Sequence, residues 1–433
     1  MIVSDTSRRE EKRVAANGVE IYSMKSPGLH GFCLCVYAKA GVLYEEDNER
    51  GISHFVEHIV FRNINSVMGG NLYDTLDEAG LSFTAATYKE FIQFCITGES
   101  SKFSLAGDIL LKLFEELTVE RLGEDFELER GRIRAEIREY DEKASLDWLV
   151  KNDVWQATSL ANMITGTLGD VSKITVAKCE KARKKMFSRG NFFFYATGNY
   201  DEKDIDSLCA EIGGVAVENA VPRENVCVIP KKYMNRDSTV LTKDASYYMV
   251  ELCFDFDVPK APKPMRNLFY DMMFAGENCR FFKALSEDMG YIYSYDAKIE
   301  EYKNAGNLSI SYEVTLKDLY NSLEMAATLF NRMKKDSEGL SRAKVFYTSN
   351  ACLSLDNAEE LNWNMAYENY ILNEDIISID DKRQRYEKVT SEDVEALAKR
   401  VFKTKNLVIG IKGRKKKLDL ERIRKIFSVL DDF

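Results

Sequence analysis

Histidine, proline and long apolar runs are scarce in this chain. Only three of the 433 residues are histidine, at positions 30, 54 and 58, and only six are proline. No apolar run approaches the roughly 18 residues that a membrane-spanning helix requires, and the charged start MIVSDTSRREEKRV has no apolar core of a secretory signal. These absences predict a protein without a membrane anchor or a secretory leader.

Cysteine pairs and excess positive charge are also missing. Nine cysteines are scattered along the chain without a CxxC spacing, and only Cys33 and Cys35 are near neighbours. An odd, dispersed set predicts reduced thiols and a cytoplasmic location. The 60 Lys and Arg residues are outnumbered by 70 Asp and Glu residues, which gives a net charge of −10. Because sequence-independent nucleic-acid binding needs the opposite balance, we expect neither nucleic-acid nor membrane partners.

The rest of the composition is that of a globular protein, with 45% hydrophobic and 30% charged residues. Short apolar segments rich in β-branched and aromatic residues alternate with segments of helical period, and several of these strands are placed to form hairpins. This mixture predicts an α+β fold in which helices cover one face of a largely antiparallel sheet. The predicted strands are 19–24, 32–38, 81–88, 91–98, 191–197, 247–254, 290–296, 308–314 and 406–412.

A helix followed by a strand is predicted twice, near residue 190 and near residue 405. Matching residues in the two segments are each 215 positions apart without a gap: Thr175 and Thr390, Phe187 and Phe402, Asn191 and Asn406, Gly198 and Gly413. Coincidence is the alternative, but four matches in register favour two copies of one fold. The predicted domains are residues 1–215 and 230–433, joined by a linker at 216–229.

Two of the three histidines stand in the segment His54-Phe55-Val56-Glu57-His58. On a helix, His54 and His58 lie one turn apart on the same face, where both imidazoles can bind one metal ion. Glu57 lies beside that face and can take a proton from metal-bound water. HxxEH is the inverzincin signature, and its occurrence by chance is rare when histidine is this scarce. The alternative is a helix with two surface histidines, and the isolated His30 is expected to be structural.

A catalytic zinc site usually takes a third protein ligand and leaves a fourth position for water. Since only one other histidine exists, a carboxylate or cysteine is expected as the third ligand. A predicted helix at 124–142 supplies several candidates: Glu124, Glu127, Glu129, Glu136 and Glu139. Periodicity alone does not choose among them, although Glu129 and Glu136 are two turns apart on one face and so suit a ligand and a supporting carboxylate.

The segments GISHFVEHIVFRN and ELERGRIRAEIREY together resemble the pitrilysin-type zinc metallopeptidases, the family of insulin-degrading enzyme and the mitochondrial processing peptidase. In that family HxxEH is followed at a distance by E-R-x-V-I-x-x-E, which here runs from Glu129 to Glu136. The resemblance implies that His54, His58 and Glu136 bind Zn²⁺. It further implies that Glu57 is the general base and that Glu129 is the supporting carboxylate.

The resemblance continues through MMFAGENCRFFKALSEDMGYIYSY in the second half. It implies a short, two-domain, bacterial-type member of the family, with an active and a degenerate domain facing each other across a cavity. With the offset of 215, His54, Glu57 and His58 correspond to Phe269, Met272 and Met273. The second domain is therefore expected to lack metal ligands.

Substrate contacts are implied by the same resemblance. An extended peptide is expected to pair with the edge of the strand at 81–88, at Thr84, Ala85 and Ala86, where the family usually has Asn-Ala in place of Thr84-Ala85. Tyr293 matches a catalytic tyrosine of the family that reaches the substrate near zinc. The arginine expected seven residues before that tyrosine is Ser286 in this chain.

Together the motifs predict a zinc-dependent endopeptidase acting on peptides or unfolded chains, as a homodimer or as a heterodimer with a related chain. Two alternatives keep the same fold. One is a non-catalytic subunit, as in the core proteins of the respiratory cytochrome complex, and the other is a peptidase that works only with a partner chain. A LuxS-like lyase also has HxxEH, but such proteins are much shorter and have no second half.

Overall fold

In the computed structural model, the chain folds into two mixed units of helices and strands. The residues described are 9–142, 146–156, 158–219, 237–242, 246–256, 260–276, 278–302, 304–372, 374, 376, 378–414 and 418–432. Each unit takes a segment from far along the chain. The first unit consists of residues 1–142, 162–226 and 351–381, and the second of residues 143–161, 227–350 and 382–433.

Six strands form the sheet of the first unit, in the order β1-β2-β6-β3-β5-β4. They are β1 Glu11–Val14, β2 Glu20–Lys25, β3 Gly31–Ala38, β4 Ser82–Thr87, β5 Ile92–Glu99 and β6 Phe192–Gly198. Every neighbouring pair is antiparallel except β2 and β6. Strand β4 lies at the edge of this sheet and pairs with β5.

Five strands form the sheet of the second unit, in the order β7-β11-β8-β10-β9. They are β7 Asp237–Thr242, β8 Tyr247–Phe256, β9 Tyr295–Glu301, β10 Gly306–Thr315 and β11 Leu407–Arg414. Here too a single pair, β7 and β11, is parallel. The order matches that of the first sheet without β1, so the two sheets share one topology. The chain is therefore an α+β protein with two sheets, as the sequence predicts.

Helices account for most of the remaining described residues. In chain order they are α1 Ile52–Val67, α2 Leu72–Ala79, α3 Phe103–Leu111, α4 Val119–Leu122, α5 Asp125–Glu142, α6 Leu146–Val154, α7 Leu168–Val171, α8 Val176–Met186, α9 Glu202–Gly213, α10 Lys263–Phe274, α11 Arg280–Phe282, α12 Leu319–Arg332, α13 Leu340–Leu353, α14 Ala358–Ala366, α15 Ile379–Glu387, α16 Ser391–Val401 and α17 Leu420–Phe427. Among these helices, none is long and apolar enough to cross a bilayer.

The two faces of the first sheet are covered differently. Alternate residues of β3, including Phe32, Leu34 and Val36, lie in the main hydrophobic core of the unit. The opposite face is covered by α14, where the Asn362 side chain donates hydrogen bonds to the carbonyl oxygens of Cys33 (3.3 Å) and Tyr195 (2.9 Å). The expectation that helices cover only one face is therefore incomplete, because α14 comes from a distant part of the chain that local periodicity cannot place.

The repeated asparagines make the same contacts in both units. Asn191 donates from Nδ2 to the carbonyl oxygens of Lys185 (2.9 Å) and Met186 (3.3 Å), at the end of α8. Asn406 donates in the same way to the residues six and five positions before it, at 2.7 and 2.9 Å. Each asparagine thus caps the helix that precedes the parallel-paired strand, which explains why the residue recurs.

Two details differ from the sequence predictions. The strand predicted at 290–296 is misplaced, because Lys283–Glu287 form a π-helical turn and the left-handed Gly290 (φ 62°) delays the strand until Tyr295. Helices α1 and α10 begin after Gly51 and Pro262, 211 positions apart rather than 215. The correspondence of His54 with Phe269 therefore shifts by about one turn.

The domain boundaries at 1–215 and 230–433 stay a prediction. The compact units depart from contiguous halves by including residues 351–381 in the first unit and 143–161 in the second. Of the predicted linker at 216–229, residues 220–229 lie outside the described residues.

Candidate metal centre

Helix α1 presents the HxxEH residues, and its start is fixed by a buried turn. The carboxylate of Glu45 accepts hydrogen bonds from the backbone N–H groups of Gly51 and Ser53, each at 2.9 Å, as a helix cap does. Gly51 has φ 79°, and a Cβ there would lie 2.4 Å from the carbonyl oxygen of Thr165. Only glycine fits this turn, which places His54 in the first turn of the helix.

Three side chains from helices α1 and α5 converge in the first unit. His54 Nε2 lies 3.6 Å from Glu136 Oε1, and His58 Nε2 lies 4.0 Å from Glu136 Oε2. Zinc bound tetrahedrally at 2.0–2.1 Å needs ligand atoms about 3.3 Å apart, so side-chain shifts of some tenths of an ångström close the site. His54 is buried, whereas the side chain of Glu136 is half exposed, which leaves an open side for water.

The protonation state of His54 is also the one that metal binding requires. Burial, with a smaller contribution from His58, lowers the pKa of His54 to about 4, so this imidazole is neutral at physiological pH. The neutral form is the one that binds metal. In the described part of the chain, His54 Nδ1 is buried without a hydrogen-bond partner. Two imidazole nitrogens and one carboxylate oxygen with room for a fourth ligand are the donor set of catalytic zinc, so the residues fit the ion.

Glu129 holds His58 from the side away from Glu136. Its carboxylate oxygens lie 3.1 Å from His58 Nδ1 and 2.7 Å from Arg62 Nε. Arg132 donates a third hydrogen bond at 2.8 Å, and the Glu129 side chain is 3% exposed. Although burial opposes it, the hydrogen bonds from Arg62 and His58 lower the pKa of Glu129. The ionised carboxylate thus directs the other ring nitrogen of His58 towards Glu136.

Glu57 lies on the same helix, beside the two histidines. Its carboxylate accepts a short hydrogen bond from the hydroxyl of Thr87, the last residue of β4. Burial raises the pKa of Glu57, and the hydrogen bond from Thr87 opposes that increase. A carboxylate whose affinity for a proton is raised is suited to accept one from an activated water.

The remaining predicted site residues lie on strand β4 and in the second unit. Thr84 is exposed on edge strand β4, and Ala85 and Ala86 are half-buried beside it. Tyr293 belongs to the second unit, just before β9, and its side chain is 94% exposed. The predicted contact of Tyr293 with a substrate near zinc stays a prediction. His30 precedes β3, where its carbonyl accepts from Ser100 N–H, in keeping with a structural role.

Sequence reasoning missed Thr87, Arg62 and Arg132. Arg62 is one helical turn after His58, and Arg132 is three residues after Glu129, so helical spacing alone could have suggested both as partners of the site. Thr87 carries no such signal, since its approach to Glu57 depends on how β4 packs beside α1.

Comparisons with known proteins show the family of the chain. The family model of insulinase (peptidase family M16) matches residues 23–168, and the model of the peptidase M16 inactive domain matches residues 173–345. A zinc protease of Rickettsia felis, named as uncharacterized, is 23% identical over 413 residues, which cover 91% of this chain and 96% of that protein.

Solved structures match along nearly the whole chain. A protease from Helicobacter pylori has a TM-score of 0.80 at 13% identity, covering 94% of this chain and 99% of the other. A chain of complex III2 from Candida albicans, solved with Inz-5 bound, has a TM-score of 0.76 at 14% identity, covering 96% and 99%. At these identities the structural likeness shows the fold alone.

Proposed function

The chain belongs to peptidase family M16, and on that premise we propose that it is a zinc-dependent endopeptidase that hydrolyses peptides or unfolded chains. The observation that supports the proposal is the convergence of His54, His58 and Glu136. Relatives named as zinc proteases support the same ion. The second unit contains no histidine, because all three histidines of the chain precede residue 59.

Each polar residue of the site has a separate task in this proposal. Zinc held by His54, His58 and Glu136 would polarise the scissile carbonyl and lower the pKa of a bound water. Glu57 accepts the proton of that water and passes it to the leaving amine. Because Thr87 donates to Glu57 Oε2, it fixes the position of the carboxylate. Glu129 keeps His58 in the orientation that binding requires.

Edge strand β4 is the proposed docking position for the peptide. Its free side offers backbone N–H and C=O groups to an extended chain, and β-strand addition is tolerant of sequence. The strand ends at Thr87, which contacts Glu57, so a peptide paired with β4 runs past the general base. Thr84, Ala85 and Ala86 would line its path and leave room for side chains.

The test compares the wild-type chain with Glu57→Gln on a mixed peptide library, with both proteins loaded with zinc. We expect the variant to keep its zinc and to lose hydrolysis, since the amide cannot accept the proton. As a matched control, Glu124→Gln changes a glutamate near the start of α5 and should hydrolyse at the wild-type rate. Peptide cleavage by Glu57→Gln at the wild-type rate would contradict the proposed mechanism.

A partner-dependent peptidase is the second candidate. It is favoured by Ser286, a short side chain where the family resemblance implies an arginine that donates to a substrate carbonyl. In this case hydrolysis appears only after a related chain is added, as expected for a heterodimer. The homodimeric state and the cytoplasmic location also stay predictions, to be measured by light scattering and by fractionation of the source cells.

A further inference from the structure

Three cysteines meet on the face of the first sheet that lies away from the HxxEH helix. Cys33 and Cys35 are two positions apart on β3 and share one face, and Cys95 on β5 is directly opposite Cys35. The exposed fractions of Cys33, Cys35 and Cys95 are 1%, 0% and 8%. Helix α14 covers this face through Asn362, which donates to the carbonyl of Cys33. The cluster is therefore buried and separate from the proposed zinc site.

The three sulfur atoms are closer together than ordinary packing explains. Cys35 Sγ lies 2.7 Å from Cys95 Sγ, and Cys33 Sγ lies 3.5 and 3.2 Å from those two atoms. Non-bonded carbon atoms pack best at about 3.5–4.0 Å, and sulfur is no smaller. Sulfur atoms this close share a proton or a bond, or else need to separate to about 3.8 Å, the spacing of two sulfurs held at about 2.3 Å by one tetrahedral ion. In the described part of the chain, only this trio and His54, His58 and Glu136 group three metal-binding side chains so closely.

The surroundings of the cluster are polar rather than apolar. Gln93, also on β5, points its Nε2 at Cys35 Sγ (3.4 Å) and at the Tyr37 hydroxyl (2.9 Å). That hydroxyl donates in turn to the side-chain carbonyl of Asn362 at 2.9 Å. Buried cysteines that serve only as small hydrophobes need no such network, whereas thiolates and metal-bound sulfurs are stabilised by it.

We propose that Cys33, Cys35 and Cys95 form a second metal site, for a thiophilic cation held by three sulfurs. Thiolate donors without imidazole select soft ions such as Zn²⁺ and Cu⁺. Each thiol that binds loses its proton to solvent, so no oxidant is needed. Three thiolates keep one net negative charge with Zn²⁺ and two with Cu⁺. Because buried charge is costly, we expect Zn²⁺, which leaves the smaller net negative charge, with the Gln93 amide donating a hydrogen bond to the Cys35 sulfur.

The role that follows is structural. The ion would join β3 to β5 from the side opposite the peptide-binding machinery and would fix their register beneath α14. Strand β5 also pairs with β4, the proposed docking edge. The second metal therefore supports the sheet without contacting a substrate, and its removal should lower stability before it lowers catalysis.

The test uses the full chain with the first site removed. The His54→Ala/His58→Ala protein is purified under reductant and supplied with Zn²⁺ or, in a separate anaerobic experiment, with Cu⁺. It is then desalted, and its metal content is measured by mass spectrometry. We expect about one equivalent of zinc to remain, with X-ray absorption showing sulfur neighbours at about 2.3 Å. Adding Cys35→Ser/Cys95→Ser should remove that equivalent, whereas adding Cys179→Ser, a single buried cysteine of the same unit, should not.

Preferential loading with Cu⁺ would support the site and change only its ion. Three results would overturn the proposal. They are zinc surrounded solely by nitrogen and oxygen, no metal retained with either ion, and a Cys35–Cys95 disulfide in the freshly reduced chain. Should the double serine variant fail to fold, the absorption spectrum of Cd²⁺-loaded His54→Ala/His58→Ala protein decides instead. A cadmium–thiolate band supports the site, and its absence refutes it.

Discussion

Neutralising Glu129 tests how the candidate metal centre is built. The Glu129→Gln change keeps the shape of the side chain but removes the negative charge that His58, Arg62 and Arg132 share. The amide can still accept one hydrogen bond from His58 Nδ1, but it no longer offsets the two guanidinium groups. Arg62 still lies 3.9 Å from Asp125, but the site has lost the carboxylate nearest to both guanidinium groups, so their positive field opposes the binding of a dication.

Loss of a carboxylate that orients a ligand typically weakens metal affinity about 10- to 100-fold, or about 1.4–2.7 kcal/mol. We expect Glu129→Gln to fall in this range, since its side chain is 3% exposed and solvent screens the effect little. Glu136→Gln should bind zinc more weakly still, because it replaces a charged ligand of the ion by a neutral one. Zinc dissociation constants from competition with a chromogenic chelator measure both effects.

Glu127→Gln is the matched control on the same helix. Its side chain is 68% exposed and pairs with Arg130, away from the histidines. This variant should bind zinc as the wild type does, and thermal unfolding of all the metal-free proteins separates metal loss from unfolding. An unchanged zinc affinity in Glu129→Gln, or a larger loss there than in Glu136→Gln, would refute the assigned roles.

Three further outcomes are expected. Ser286→Arg should raise kcat/KM roughly ten- to a hundredfold at constant zinc content, because a charge-assisted hydrogen bond is worth ~1.5–3 kcal/mol. If the variant shows no gain and the wild type turns over rapidly, the chain binds its substrate without an arginine at this position. Burial raises the pKa of Asp271 to about 7, so the folded state binds its proton more tightly than the unfolded state does. The free energy of unfolding therefore falls as pH rises from the ordinary pKa of an aspartate to about 7. Asp271→Asn should therefore raise Tm at about pH 8 and leave it nearly unchanged at about pH 4; an equal shift at both would contradict that titration. Asn191→Ala and Asn406→Ala should each lower the free energy of unfolding in urea by about 1–3 kcal/mol, since each removes two side-chain hydrogen bonds to helix-end carbonyls; a loss at only one position would argue against equivalent roles.

Local periodicity predicted the helices of the candidate site well. The helix that carries Glu136 begins at Asp125, one residue after the predicted start, and His54 and His58 lie on one helix as their spacing predicted. The spacing also placed Glu129 and Glu136 on one face. It did not decide which of them binds the metal, since that depends on the angle at which α5 crosses α1.

Features that depend on strand register or on distant segments were not predictable. Cys33 and Cys35 are neighbours in sequence, but the third sulfur joins them only through the pairing of β3 with β5. Thr87 meets Glu57 for the same kind of reason. The alternation of apolar residues after Gly290 suggested a strand that begins too early, because the left-handed Gly290 delays the strand until Tyr295.

Residues 351–381 belong to the first unit and residues 143–161 to the second, and this arrangement constrains how the chain can fold during synthesis on the ribosome. The first sheet lacks α14 until residue 366 has been synthesised, so its second face, with Tyr37 and Tyr195, stays uncovered while most of the protein is being made. A nascent chain that has completed β6 can therefore collapse around its core but cannot finish its first unit. Cutting the gene between the halves would leave each fragment without a helix that its sheet requires, so the protein should resist division into independently folding pieces.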